Sequence, residues 1–375
     1  MRFAHCTAAA AFLWLAPALV PDAQAAEFKV RSADGTEISG EADSKSPRPA
    51  AAVILVPGTG AFDRDAEFGD SGTPRDLIFK DLATRMLSRG IATVRFDLRG
   101  VRYGVPREQV LDRKLLASRT TRTMRDDVAA VYAWARSPQG LGARCIVFFV
   151  HSEGMLHVAR MAESGAPQPA LVIGMGAGMQ APSAIVRWQI MGRDGDSLEM
   201  MDTNRDGIVT NEEVRANISR TPSGVHGTVE PFLHPSGAWT AKDIAQLRAT
   251  QAAVYDQQRR EALAHADTDP HPSADAAFAS FEWWKSWFLD DKATGTRLAG
   301  WAVPISLHYG DRDSQTPGAA QIASAREHVP AGRLKTKVHA ERGHTLGPHV
   351  ALGPMDEKIA DEIAGEAAAV ARTCR

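Results

Sequence analysis

The chain has 375 residues, 44% of them apolar, and a formal net charge of −2. That balance gives no electrostatic case for nucleic acid or an anionic membrane surface, and three cysteines are too few for a disulfide-built scaffold. No internal repeat, coiled coil or long low-complexity tract is present, so the pattern is that of an ordinary globular domain.

The first residues read as a leader. Met1-Arg2 is a short basic start, Ala8 to Val20 is an apolar run too short to span a bilayer, and Ala23-Gln24-Ala25 has the small-x-small form of a cleavage site. Cys6 precedes the apolar run and is no lipid-attachment site. A signal peptide is therefore expected over 1–25, with export to the periplasm or the medium and no stable membrane insertion after cleavage. About 350 residues remain, enough for one large domain with an insertion.

Beyond the leader, Asp34-Gly35 separates two short strand-like runs and predicts a hairpin. Ala51 to Val56 is an apolar strand ending in Pro57-Gly58-Thr59-Gly60, with Asp63-Arg64-Asp65 beyond it. Phe79 to Arg89 carries apolar residues at helical spacing and stops at Gly90. Ile91 to Phe96 is a strand closing on Asp97-Leu98-Arg99-Gly100, and Met124 to Ala135 is a helix. Cys145 to Val150 is a buried strand, Met155 to Ala162 a helix, and Ala170 to Met175 another strand. Late in the chain come strands at Ile305 to Gly310 and Leu334 to Val338, then a closing helix from Ile359 to Arg372. Alternating strands and helices predict a mostly parallel sheet covered on both faces.

At Val150-His151-Ser152-Glu153-Gly154 a buried strand turns directly into a helix, a corner that lifts a serine hydroxyl off the sheet. Such a hydroxyl needs a base within hydrogen-bond reach, and the base needs a carboxylate to fix its tautomer. Asp311 and Asp313 both follow the Ile305 strand. Asp313 is the better acid, because it falls on the loop and heads Asp-x-x-x-Pro. His344, after Glu341-Arg342-Gly343, is the preferred base over His339 and His349. The loop after the Ala51 strand should supply one oxyanion donor, the Thr59 backbone N–H, and Glu153 the other, with Gly58 and Gly60 allowing close approach.

Pro-Gly-Thr-Gly with Asp-Arg-Asp, Arg95-Phe96-Asp97-Leu98-Arg99-Gly100, His-Ser-Glu-Gly and Asp-Ser-Gln-Thr-Pro together resemble one bacterial group of α/β-hydrolases, the esterases and serine aminopeptidase-like hydrolases. The resemblance covers roughly residues 50–180 and 300–370, and the order Ser, Asp, His is that of the fold. It implies Ser152, Asp313 and His344 as the triad. One departure stands out: Val150 occupies a position usually held by Gly, and a β-branched side chain there is expected to crowd the turn.

Ser152 and Asp313 are separated by several times the ~30 residues that one strand–helix–strand step needs. The sequence therefore divides into a core at 26–179, a helical cap insertion at 180–300, and the rest of the core at 301–375. Within the cap, residues 202–213 fit the twelve-residue EF-hand loop. The expected calcium ligands are Asp202, Asn204, Asp206, the Ile208 carbonyl, Thr210 and a bidentate Glu213. No partner loop is evident, since Asp267-Thr268-Asp269-Pro270 has neither the Gly nor the terminal Glu.

Phe278, Phe281, Trp283, Trp284, Trp287 and Phe288 crowd one late cap segment. They read as a helix packed on the core, with part of the face lining an apolar pocket. Taken together, the reading is an exported calcium-binding serine hydrolase of small or medium esters. A peptide with a free N-terminus is the second substrate class and would require a cap carboxylate such as Glu282 or Glu230. A catalytically weak calcium-binding protein on the same scaffold is the non-enzyme alternative. Cys145 opens the strand leading to Ser152 and Cys374 ends the closing helix, so a bridge between them is geometrically possible.

Overall fold

The computed structural model describes residues 24–69, 71–223, 228–270, 279–348 and 353–374. The expected leader lies outside these residues except for Gln24 and Ala25, which open the first strand, and Phe278 and His349 also lie outside. Among the described residues, no helix is long and apolar enough to cross a membrane.

The sheet is built from β1 (Gln24–Arg31), β2 (Glu37–Ser44), β3 (Ala51–Val56), β4 (Ala92–Phe96), β5 (Cys145–His151) and β6 (Leu171–Met175), joined later by two more strands. Between them run α1 (Ile78–Ser88), α2 (Arg113–Ala117), α3 (Thr121–Arg136) and α4 (Gly154–Glu163). The excursion from the sheet holds α5 (Pro182–Arg187), α6 (Arg193–Met201), β7 (Ile208–Thr210), α7 (Asn211–Asn217), β8 (Ala238–Thr240), α8 (Ala241–Ala264), α9 (Phe281–Leu289) and α10 (Thr294–Leu298). The chain then returns through β9 (Ile305–Gly310), α11 (Gly318–His328), β10 (Leu334–His339) and α12 (Glu357–Thr373).

The eight strands lie in the order β1-β2-β4-β3-β5-β6-β9-β10. The β1–β2 hairpin pairs antiparallel, β2 meets β4 antiparallel, and every pairing from β4 onward is parallel. Central strands buried on both faces read as continuous apolar runs, and Ala51–Val56 is buried at all positions. One face packs Val128 and Val131 of α3, Met155 and Val158 of α4, and Leu298 of α10 against the sheet. The other packs Ile78 to Met86 of α1 and Ile359 to Ala368 of α12. This strand order, with one antiparallel hairpin at the edge of an otherwise parallel sheet, is that of an α/β-hydrolase fold. Cys145 and Cys374 form a disulfide with Cα atoms 5.9 Å apart, tying the start of β5 to the end of α12.

Val150 is fully buried. In the parallel register its neighbour on β6 is Gly174, where an added Cβ would stand 2.8 Å from Ala177, 2.9 Å from Leu307 and 3.0 Å from Met155, so only glycine fits there.

The excursion contains two apolar centres. Ile185, Val186, Phe281, Trp283, Trp287 and Phe288 pack with Leu156 of the core and form the cap proper. Leu198, Met201, Val209, Val214, Phe232 and Ile244 form a separate centre around the loop 202–213. Here the structure corrects the sequence reading, because the loop does have a partner. β7 pairs antiparallel with β8, placing Val209 opposite Trp239. Gly237, with φ +95°, matches Gly207, with φ +81°. Thr240 caps α8 through Asp243 just as Thr210 caps α7 through Glu213. The second loop thus runs over 232–243 and has Phe232, His234 and Ser236 where the first has Asp202, Asn204 and Asp206. Strand pairing and apolar packing carry the relationship, whereas a search for carboxylates passes over it.

Candidate active site

The site assembles where β5 ends. Ser152 has φ +52°, a left-handed conformation that non-glycine residues adopt only when their surroundings hold them there. Its amide donates to the Met175 carbonyl at 3.0 Å, and its carbonyl accepts from Met155 at 3.2 Å. A Cβ on Gly154 would stand 2.7 Å from the Val56 carbonyl, so only glycine lets α4 start this close to β3.

Asp313 and His344 come together as a buried pair. The Nδ1 of His344 lies 2.9 Å from both carboxylate oxygens of Asp313, which is 1% exposed. The backbone amides of Gln315 and Thr316 each donate to Asp313 Oδ1 at 2.8 Å, and the Thr316 hydroxyl donates to Oδ2 at 3.0 Å. These bonds hold the carboxylate in one orientation, which in turn sets the imidazole. Asp311 is exposed and accepts the Arg342 amide at 3.3 Å, outside the pair. His339 packs instead against His308, at 3.1 Å between ring nitrogens.

Ser152 and His344 line the same cavity, of about 310 Å³, with Thr59, Glu153, Leu156, Ile185, Val186 and the indoles of Trp283, Trp284 and Trp287. The late aromatic helix α9 therefore both packs on the core and walls the cavity. The two cap carboxylates considered for an amine lie elsewhere. Glu282 accepts from the Thr121 amide and hydroxyl at 2.8 and 2.7 Å, and Glu230 is exposed and does not line the cavity.

The side chains of Glu153 and Arg119 were not legible as part of this centre. Glu153 is buried, and its carboxylate accepts the Thr59 hydroxyl at 2.6 Å and the Trp283 indole N–H at 2.7 Å. Burial pushes its pKa up, a trend that the two hydrogen bonds oppose. Arg119, 1% exposed, donates to the carbonyls of Gly60 at 2.7 Å and Arg99 at 2.8 Å. His151 is buried 4.7 Å from the His344 ring, and burial holds its pKa well below the ordinary histidine value. The Asp-Arg-Asp and Asp-Leu-Arg-Gly runs are structural: Arg64 pairs with Asp97 at 2.8 Å and Arg99 with Asp127 at 2.6 Å.

The loop 202–213 is a tight turn closed by its own side chains. Arg205 and Gly207 have φ of +61° and +81°, Asp202 accepts from the Asp206 and Gly207 amides, and Asn204 Oδ1 accepts the Asp206 amide at 2.9 Å. Thr210 sits at the helix start, where Glu213 Oε2 accepts its amide at 3.0 Å. The donor set Asp202, Asn204, Asp206, Ile208, Thr210 and Glu213 is all oxygen and suits a hard cation. Its carboxylates are held by these internal bonds, and among the described residues no three His, Cys, Asp or Glu side chains are gathered to hold a metal.

No protein-family model and no curated protein matches this sequence. Among solved structures, an esterase of Pyrococcus furiosus is similar at 11% identity and a TM-score of 0.50, covering 94% of this chain and 91% of that one. An esterase from Rhodococcus gives 17% identity and a TM-score of 0.48, covering 92% and 99%. A thermophilic esterase from Thermogutta terrifontis gives 15% and 0.47, also covering 92% and 99%. At 11% identity the likeness to the Pyrococcus furiosus esterase is one of fold alone.

Proposed function

We propose that the protein is an exported serine hydrolase of carboxylic esters. The observation that carries this reading is Ser152, held left-handed at a strand–helix corner, sharing an apolar cavity with the buried His344–Asp313 pair. In this reading the Ser152 hydroxyl attacks the ester carbonyl while His344 takes its proton, and Asp313 stabilises the resulting imidazolium. The backbone N–H groups of Thr59 and Glu153 stabilise the oxyanion. His344 then returns the proton to the departing alcohol, leaving an acyl-serine. Water, deprotonated by the same histidine, releases the acid and restores Ser152.

Indole and aliphatic walls favour a small or medium acyl group. Esters are preferred over peptides because Glu282 and Glu230 are not placed to meet an amine. Calcium is assigned to 202–213 on the twelve-position match and the loop's backbone; it would order the cap loops, and the acyl-transfer steps use none of its ligands. Export agrees with the leader and with a disulfide in the mature chain.

A fluorophosphonate probe should label the wild-type protein and leave Ser152→Ala unlabelled, and p-nitrophenyl esters should be turned over faster than aminoacyl-naphthylamides. A wild-type protein that takes no label would favour the non-catalytic calcium-binding alternative.

A further inference from the structure

The carboxylate of Glu153 joins three parts of the molecule that sequence keeps far apart. It belongs to the nucleophile turn itself. Its Oε2 accepts the hydroxyl of Thr59, 94 positions away on the loop after β3, and its Oε1 accepts the indole N–H of Trp283, 130 positions away on α9. Thr59 and Glu153 are the two residues whose backbone N–H groups are assigned to the oxyanion hole. One donor residue thus grips the other through its side chain.

A second connection runs in parallel. Arg119 donates to the Gly60 carbonyl, next to Thr59, and its own carbonyl accepts both the amide and the hydroxyl of Ser280, the residue that caps α9. The loop after β3 and the start of α9 are therefore tied at two points, and Trp283 lies between them. Trp283 also walls the cavity, so an acyl group packing on its ring presses on a side chain bonded to Glu153.

We propose that the Glu153 side chain is a positioning residue for the oxyanion hole, setting the place of Thr59 against Ser152 and coupling it to the acyl wall through Trp283. This rests on the acyl-serine reading above. Oxyanion donors act only if they meet the charge where it develops, and a displacement of even an ångström is costly. Losing the tether should therefore weaken transition-state binding more than substrate binding.

The test compares Glu153→Ala, Glu153→Gln, Trp283→Phe and Thr59→Val in ester turnover and in the rate of fluorophosphonate labelling, which also builds an anionic oxygen in the hole. Glu153→Ala should lower kcat about ten- to a hundredfold with KM within about threefold, and should slow labelling in step. Glu153→Gln should recover to within about fivefold of wild type, because an amide can accept from Trp283 and donate to the Thr59 hydroxyl. Losses in Trp283→Phe and Thr59→Val should be smaller, and non-additive when combined. A Glu153→Ala protein altered only in KM or only in melting temperature would overturn the proposal. Should that variant fail to fold, the Trp283→Phe and Thr59→Val pair decides the matter, since additive losses would overturn it equally. If wild-type protein takes no label, the acyl-serine reading falls and this proposal with it; slow labelling confined to the variants supports both.

Discussion

Gln189 donates its side-chain amide to the backbone carbonyl of Gln315 at 2.9 Å, across 126 positions of sequence. Gln189 lies on a π-helical turn, Trp188–Gly192, that runs straight into α6, and Gln315 in turn donates its amide to Asp313. Wider turns of this kind recur at functional sites. The bond joins the roof of the cavity to the loop that holds the acid. Gln189→Ala removes one neutral hydrogen bond, worth about 1 kcal/mol, so kcat/KM for esters should fall about three- to tenfold. Steady-state kinetics at matched folding, checked by circular dichroism, will measure it; an unchanged kcat/KM would show that the Asp313 loop holds itself in place.

The buried pair predicts an unequal response of the two acids. Ser152→Ala and His344→Ala should each remove nearly all turnover while leaving the melting temperature within a few degrees, since such residues act as a unit. Asp313→Asn should cost on the order of a thousandfold or more, because the imidazole loses the partner that fixes its tautomer. Asp311→Asn should change kcat by less than about threefold. A larger loss at Asp311 than at Asp313 would reverse the assignment.

Calcium should act on the paired loops rather than on the sheet. Terbium luminescence sensitised by Trp239, on the strand beside 202–213, should saturate and be displaced by calcium. Affinity is expected in the weak range of extracellular modules, about 10⁻⁴ to 10⁻³ M. Chelation should lower the melting temperature by mass action, and Glu213→Gln should remove the response. Superimposable melting curves with calcium and with chelator would show the paired loops to be purely structural.

Acid should weaken the fold through buried neutral histidines. Burial lowers the pKa of His157 to about 3, and burial with His308 alongside lowers that of His339 to about 4. Each group binds its proton more readily when unfolded, near pH 6.5, than when folded. Stability should accordingly be full above pH 6.5 and decline as pH falls through that value toward 4 and then 3. His157→Leu should flatten part of this decline in urea titrations between pH 7 and pH 4. A wild-type decline that survives unchanged in the variant would place the proton uptake elsewhere.

Features with a fixed local spacing were readable in the sequence. The corner at Ser152, the Asp313 and His344 loops and the turn at 202–213 each occupy one short segment, and the structure places each on the element its neighbours imply. Relationships between distant segments were not readable. Nothing local marks Glu153 as the partner of Thr59 and Trp283, or Arg119 as the link between Gly60 and Ser280. The loop at 232–243 was invisible for a different reason, since the sequence motif rests on charged ligands and this segment has Phe232 and Ser236 in their place. The neighbour of Val150 across the sheet, Gly174, can only be identified once the register is known.

The Cys145–Cys374 bridge makes the chain between its ends a closed covalent ring. The whole excursion of α5 to α10 lies inside that ring, as do Ser152, Asp313 and His344. A single cut by a protease in the paired loops would divide the polypeptide without releasing either half. Nicked protein should run as one band on a non-reducing gel and as two after reduction, and it should keep its ester turnover until the bridge is opened. A chain closed in this way can outlast a cut inside the ring.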